Sequence, residues 1–268
     1  MFGPANQWPQ AQVRRIGRVR PPRRCRKELQ LEMTDIPVTR IQKLIGERML
    51  ESKRTKPCFY MQSTADVTEL MRMRPRLSKS LGVKITSNAF LIRALALAVR
   101  KYPLVIGVVA EDGRSDESVA GETVTGIRIP ETINVGFAVN APQGLVVPVI
   151  READTKPLAE IARMEKMLTE KARSNKLTLE DMEGETIALS NLGAYGIDSF
   201  IGIVPPPTST ILSVGNVVQT VVPRNGVPAA RKTMSLTLAA DHRIVDGAYA
   251  AGFLDYIREQ LENPRELV

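Results

Sequence analysis

The sequence predicts a mixed α/β domain in which one sheet is covered by helices. Three observations carry this: long segments with apolar residues three and four apart, short segments that alternate apolar and polar, and the interleaving of the two kinds along the chain. Hydrophobic residues are 43% of the 268 and charged residues 25%, which supplies a core and excludes a collagen-like, mucin-like or wholly disordered chain.

Residues 36–55 read as a helix, with Thr39 as N-cap and Ile41, Leu44, Ile45 and Met49 along one face. Residues 59–67 alternate and read as a half-buried strand. Thr68 is placed as the cap of a short helix that Pro75 kinks or ends. Residues 86–101 are apolar nearly all round, as in a helix buried on most sides. Residues 111–126 are polar and Gly-bearing, a loop or a hairpin. Residues 134–141 and 144–151 are β-rich runs joined by a Pro-Gln-Gly turn, a hairpin signal. Residues 157–175 place Leu158, Ile161, Ala162, Leu168 and Ala172 on one helical face, with Pro157 near the start. Further strands are read at 186–190, 209–215, 216–222 and 233–240. The triple proline at 205–207 is a loop, since it offers no donors to a central strand. Residues 247–261 close the chain as a helix, followed by Pro264. No internal repeat is present.

The net charge is +8, which points toward nucleic acid until its distribution is read. Residues 1–33 hold eight basic side chains against two acids, so this segment carries +6 and the remaining 235 residues only +2. With Phe2 and Trp8 as its only aromatics, the segment has little to stack on bases, and no specific nucleic-acid partner is expected. It reads as a basic, disordered tail or linker. Its Arg-rich, acid-free first 27 residues resemble an organellar transit peptide in part, but contain no Ser and four Pro. The expectation is therefore a cytoplasmic protein, with the mitochondrial matrix as alternative if residues 1–33 are a transit peptide. Cys25 and Cys58 form no disulfide framework and suit a reducing compartment. One His and no C-x-x-C leave no metal-ligand cluster, so no metal is expected. No apolar run approaches the roughly 20 residues that span a bilayer, so no membrane partner is expected.

Chemistry concentrates at two places. His242, the only histidine, lies between a strand and the last helix in Asp241-His242-Arg243-Ile244-Val245-Asp246-Gly247. A lone His is commonly structural. Here any imidazole chemistry must use it, and Asp246 stands where a carboxylate could organise the turn. The second is Ser190-Asn191-Leu192-Gly193-Ala194-Tyr195-Gly196, a strand entering a Gly-rich turn. It can present a hydroxyl at a strand end, or simply be a tight turn with a capping serine. It is neither a phosphate loop nor a nucleophile elbow. Cys58, beside Phe59 and Tyr60, reads as a buried or half-buried, unreactive thiol.

The run from Asp241 to Ala248 resembles the H-x-x-x-D-G signature of dihydrolipoamide acyltransferases, the core components of 2-oxo acid dehydrogenase complexes, related to chloramphenicol acetyltransferase. The likeness extends in order through residues 36–52, 134–139, 144–149, 189–196 and 206–215 to the end. It implies a chloramphenicol acetyltransferase-like two-layer sandwich, mixed sheet under helices, with 34–268 as the acyltransferase catalytic domain. It implies transfer of an acyl group between dihydrolipoamide and coenzyme A, acetyl by the likeness of residues 193–200. His242 then matches the general base, Ser190 the oxyanion donor, and Asp246 the acidic signature position, expected to organise the loop more than to move a proton. Coenzyme A enters as co-substrate and the lipoyl group on a separate lipoyl domain; the residues that bind either are unassigned. The implied assembly is a homotrimer, in cores of 24 or 60 chains, with a lipoyl-domain-bearing protein and the other complex components as partners. The final residues resemble a C-terminal anchor that joins trimers. Cys58 departs from the pattern, standing where relatives often have His. Other readings left open are an inactive structural core protein and an acetyltransferase for a soluble hydroxyl acceptor.

Overall fold

The alternation of apolar residues in the C-terminal half sets the frame of the sheet. The computed structural model describes residues 37, 38, 40–111, 124–142, 144–224 and 226–268, so the basic segment 1–33, Cys25 and the proposed cap Thr39 lie outside the described residues. Five helices are described: α1 (Arg40–Thr55), α2 (Thr68–Ser80), α3 (Ser87–Lys101), α4 (Leu158–Arg173) and α5 (Gly247–Glu262). Ten strands accompany them: β1 (Cys58–Asp66), β2 (Val108–Glu111), β3 (Val124–Arg128), β4 (Val135–Phe137), β5 (Val139–Ala141), β6 (Gly144–Val146), β7 (Val149–Ile150), β8 (Ile187–Asn191), β9 (Thr210–Arg224) and β10 (Val227–Asp241). The main sheet runs β1-β10-β9-β8-β4-β7. Its β4/β8 and β8/β9 ladders are parallel and the rest antiparallel, so the sheet is mixed.

Period-2 alternation gives the sheet two unlike faces. Leu189, Leu212, Val214, Leu236, Leu238 and Ala240 face the helices and join Phe90, Leu95, Ile161, Phe253 and Ile257 in the core. The largest fully buried side chains include Phe90, Phe137 and Phe253, each contributing on the order of 2–3 kcal/mol by leaving water. The opposite face carries Ala188, Ile211 and Ala239, packed with Val204 and half-buried Cys58. The stretch 197–209 covers that face, donating Gly202 N–H to Ser213 Oγ at 3.0 Å and accepting Asn216 N–H at Ile197 O at 2.7 Å. It presses so closely that a Cβ on Gly215 would sit 1.9 Å from Asp198 O.

Several elements depart from the pattern reading. The runs 209–215 and 216–222 are one 15-residue strand, β9, and its partner β10 begins at Val227 rather than at 233. The runs 134–141 and 144–151 form a hairpin in which each arm is broken: β4 pairs β7 in the main sheet, while β5 pairs β6 in a separate ribbon. The run 111–126 begins with the last residue of β2 and ends inside β3, two strands that pair antiparallel, and its middle, 112–123, is outside the described residues. Pro75 does not end α2. The helix runs on to Ser80, with Pro75 exposed and the last turn tied by Ser78 Oγ to Arg74 O at 2.9 Å. Thr68 is no cap either: its own N–H and hydroxyl both donate to Asp66 Oδ1. Among the described residues helix α1 only partly buries the face read for it: Ile45 and Met49 are half-buried, while Leu44 is 57% exposed. Ser52 Oγ, donating to Val204 O at 2.5 Å, is its buried tether. The C-terminus is held rather than frayed, with Leu267 fully buried in its own chain's core. No helix among the described residues is long and apolar enough to cross a membrane.

Candidate active site

His242 follows the last residue of β10, and the turn that carries it is built by its neighbour Asp241. That carboxylate is 1% exposed and takes the Arg243 guanidinium at 2.7 Å and the Arg243 N–H at 3.0 Å. The Asp241 carbonyl accepts the N–H groups of Ile244 and Val245 at 3.1 and 3.2 Å, and its own N–H donates to Ser209 O. With the turn closed, His242 N–H donates to Pro57 O at 3.1 Å. Its ring lies 4.6 Å from the Phe59 ring, tilted by 52°. The imidazole is exposed and makes no hydrogen bond or ion pair among the described residues. Asp246, expected in the same site, points into its own helix: Oδ1 accepts the Tyr249 N–H at 2.8 Å and caps α5.

Ser190 lies near the end of β8, directly beside Ser213 of β9. Alternation places it with Ala188 on the face away from the core helices, half-buried, and its hydroxyl has no hydrogen-bond partner among the described residues. Asn191 points the other way and accepts Gly193 N–H at 2.9 Å. The turn passes so near β9 that a Cβ on Gly193 would meet Gly215 O at 2.6 Å, which explains why glycine is needed there.

The register separates the two residues. Ser190 is level with Ser213, Ser213 with Thr237, and His242 lies five residues beyond Thr237. Strand rise and two strand spacings put the two Cα atoms about 20 Å apart in one chain. A single chain thus brings His242 and Asp246 into one turn but leaves Ser190 apart. Cys58 is the strand partner of Asp241, and burial pushes its thiol up, in keeping with an unreactive sulfur. The Asp241–Arg243 pair and the Phe59 contact escaped the sequence reading, although the pair's two-residue spacing beside His242 was visible. Among the described residues no group of His, Cys, Asp and Glu could hold a metal ion.

Comparison with known proteins gives this geometry a context. The family model for the catalytic domain of 2-oxoacid dehydrogenases acyltransferase matches residues 30–268. The dihydrolipoyllysine-residue acetyltransferase component of the pyruvate dehydrogenase complex of Rickettsia bellii is 37% identical over 232 residues, 85% of this chain and 52% of that protein. The chain spans about half the length of the curated relatives it matches, some named as mitochondrial and some bacterial. Among solved structures, the Azotobacter vinelandii dihydrolipoamide acetyltransferase superposes with a TM-score of 0.80 at 30% identity, covering 88% of this chain and 94% of that one. The cubic core of a pyruvate dehydrogenase multienzyme complex gives 0.80 at 30% identity, covering 94% and 99%. The Azotobacter structure addresses the role of a serine, a histidine and an asparagine in the catalytic mechanism. Their separations along that chain equal those among Ser190, His242 and Asp246 here.

Proposed function

The chain belongs to the family of 2-oxoacid dehydrogenase acyltransferase catalytic domains, and from that premise we propose that it transfers an acyl group, acetyl in the first instance, between dihydrolipoamide and coenzyme A. The observation that carries the proposal is that the chain's only imidazole and a strand-end hydroxyl, both without a hydrogen-bond partner among the described residues, stand about 20 Å apart in one chain. Such a pair serves a reaction only where two copies meet, His242 of one opposite Ser190 of the next, as in the homotrimer that the family resemblance implies.

In that arrangement His242 takes the proton of the acceptor thiol, whose ordinary pKa near ~8.5 leaves it mostly protonated at neutral pH. The thiolate forms a bond to the thioester carbonyl carbon, and the resulting oxyanion accepts a hydrogen bond from Ser190 Oγ. Collapse breaks the original C–S bond, and the departing thiolate recovers the proton from His242. No acyl group rests on the protein. The Pro57 carbonyl and the Asp241–Arg243 turn hold the His242 backbone, the Phe59 ring packs against the imidazole, and Asp246 fixes the start of α5.

Coenzyme A is a co-substrate in this reading, and the lipoyl group arrives on a separate lipoyl domain. The partners are further copies of the chain, as a trimer or a 24- or 60-chain core, and the other 2-oxo acid dehydrogenase components. The similarity to a cubic core supports that assembly. Residues 34–268 form the catalytic domain and 1–33 a basic linker. The names of the curated relatives support acetyl as the group moved and either a bacterial cytoplasm or a mitochondrial matrix as the setting; we favour the cytoplasm. The test is thioester exchange between acetyl-CoA and dihydrolipoamide. His242→Ala should abolish it, and Ser190→Ala should lower kcat by about 10²–10³, the usual cost of one oxyanion donor. Undiminished exchange in His242→Ala would remove the base assignment.

A further inference from the structure

We infer that Asn88 and Glu165 are positioning residues for the proposed transfer, holding through Asn191 the strand end that carries Ser190. The inference rests on the functional reading above and adds to it two residues on the opposite side of β8 from Ser190. A continuous chain of polar contacts runs beneath the helix layer. Asn191 Nδ2 donates to Asn88 Oδ1 at 2.8 Å, across 103 residues of sequence, while Asn191 Oδ1 accepts Gly193 N–H at 2.9 Å. Asn88 stands in the first turn of α3, whose cap is Thr86: Oγ1 accepts the Ala89 N–H at 3.0 Å and donates to Glu165 Oε2. Glu165, on α4, is only 7% exposed. Burial pushes its carboxyl up, and hydrogen bonding from Thr86 and Asn88 opposes that rise.

Packing does not hold Asn191 in place. Asn88, Glu165, Asn191 and Gly193 line a cavity of about 290 Å³, so the side of Asn191 that a core residue would pack against is open. The ladder to β9 holds its backbone, and Asn88 is the side-chain partner that ties its amide to the helix layer. Successive strand residues point to opposite faces, so pinning Asn191 on the helix side sets the height and pitch of Ser190 on the other. An oxyanion donor acts over a window of only about 2.7–3.1 Å, so a displacement of about 1 Å there is felt in the rate.

A double-mutant cycle on the full-length protein tests this, with exchange between acetyl-CoA and dihydrolipoamide as readout. Asn88→Ala is expected to lower kcat by at least about tenfold with KM for both substrates within about twofold, because the lost contribution belongs to the transition state. In a Ser190→Ala background the same substitution should cost nothing further, since the hydroxyl it positions is gone. Equal losses in both backgrounds, a rise in KM matching the fall in kcat, or no loss at all would each overturn the inference. If Ser190→Ala itself leaves kcat unchanged, the oxyanion assignment fails first and the positioning role falls with it. Should Asn88→Ala fail to fold, the near-isosteric Asn88→Leu goes through the same cycle against the same outcomes. Glu165→Gln, which keeps the shape and one acceptor oxygen, should retain most of the rate where Glu165→Ala does not.

Discussion

Asp246 separates two roles that a carboxylate beside the proposed general base His242 can play. In the structure its Oδ1 accepts the Tyr249 N–H at 2.8 Å, and its backbone is extended with φ −87 and ψ 172, the geometry of an N-cap. Removing such a cap costs about 1 kcal/mol, whereas an Asn in its place retains an acceptor oxygen and ranks with Asp as an N-cap. In a domain of this size about 1 kcal/mol is a fall of roughly 2–4 °C in Tm. The cap also ends the turn that starts at His242, so loosening it misplaces the imidazole. Asp246→Ala should therefore lose about 1 kcal/mol in thermal melting and about tenfold in kcat, a comparable increment of barrier. Asp246→Asn should melt with the wild type and keep kcat within about threefold. The relation to the Azotobacter enzyme, with an asparagine at this separation, is consistent with that expectation. A hundredfold loss in Asp246→Asn with unchanged melting would refute the reasoning, because the charge and not the cap would then be what the reaction uses.

Two further outcomes follow from the same packing. Asp241 is 1% exposed and paired with Arg243, so Asp241→Ala should cost about 1.5–3 kcal/mol and lower kcat with it, as read by calorimetry and exchange rate; a stable, active variant would show that the turn holds His242 without the pair. Burial lifts the Glu185 carboxyl above its ordinary 4.5, only partly offset by Arg48. With the folded value the higher one, its contribution to stability is complete below the unfolded value and lost as pH rises through the folded value. Glu185→Gln lacks that loss, so its Tm should gain on the wild type between about pH 4 and pH 8, and a constant difference across that range would contradict it.

What could be read from the sequence depended on how local its cause was. Helices α3, α4 and α5 carry their own signals, a capping Thr86, a leading Pro157 and a capping Asp246, and their bounds lie within two residues of the pattern reading. The division of β9 at Gly215 and Asn216 followed their poor strand propensity. Yet Gly215 is in the strand because Asp198 crowds against it, a contact invisible from the residues around it. The Asn225-Gly226 pair between β9 and β10 is a hairpin signal in the sequence. His242, Ser190 and Asp246, the residues of the proposed site, stand out in the sequence because they sit in short ordered motifs. The Asn88–Asn191 contact was not, since nothing local to Asn88 marks it and its partner lies 103 residues away. Nor could the 20 Å separation be read before the strand register was known.

The central claim is that one site needs His242 from one chain and Ser190 from another. Complementation measures this directly: His242→Ala and Ser190→Ala proteins, each inactive or nearly so, are unfolded together in equal amounts and reassembled. In a ring with head-to-tail interfaces, random mixing leaves about a quarter of the interfaces with both residues intact, so exchange activity should recover to about a quarter of the wild-type value. Recovery of nothing beyond the two variants reassembled separately, with trimers verified by light scattering, would contradict a site shared between chains.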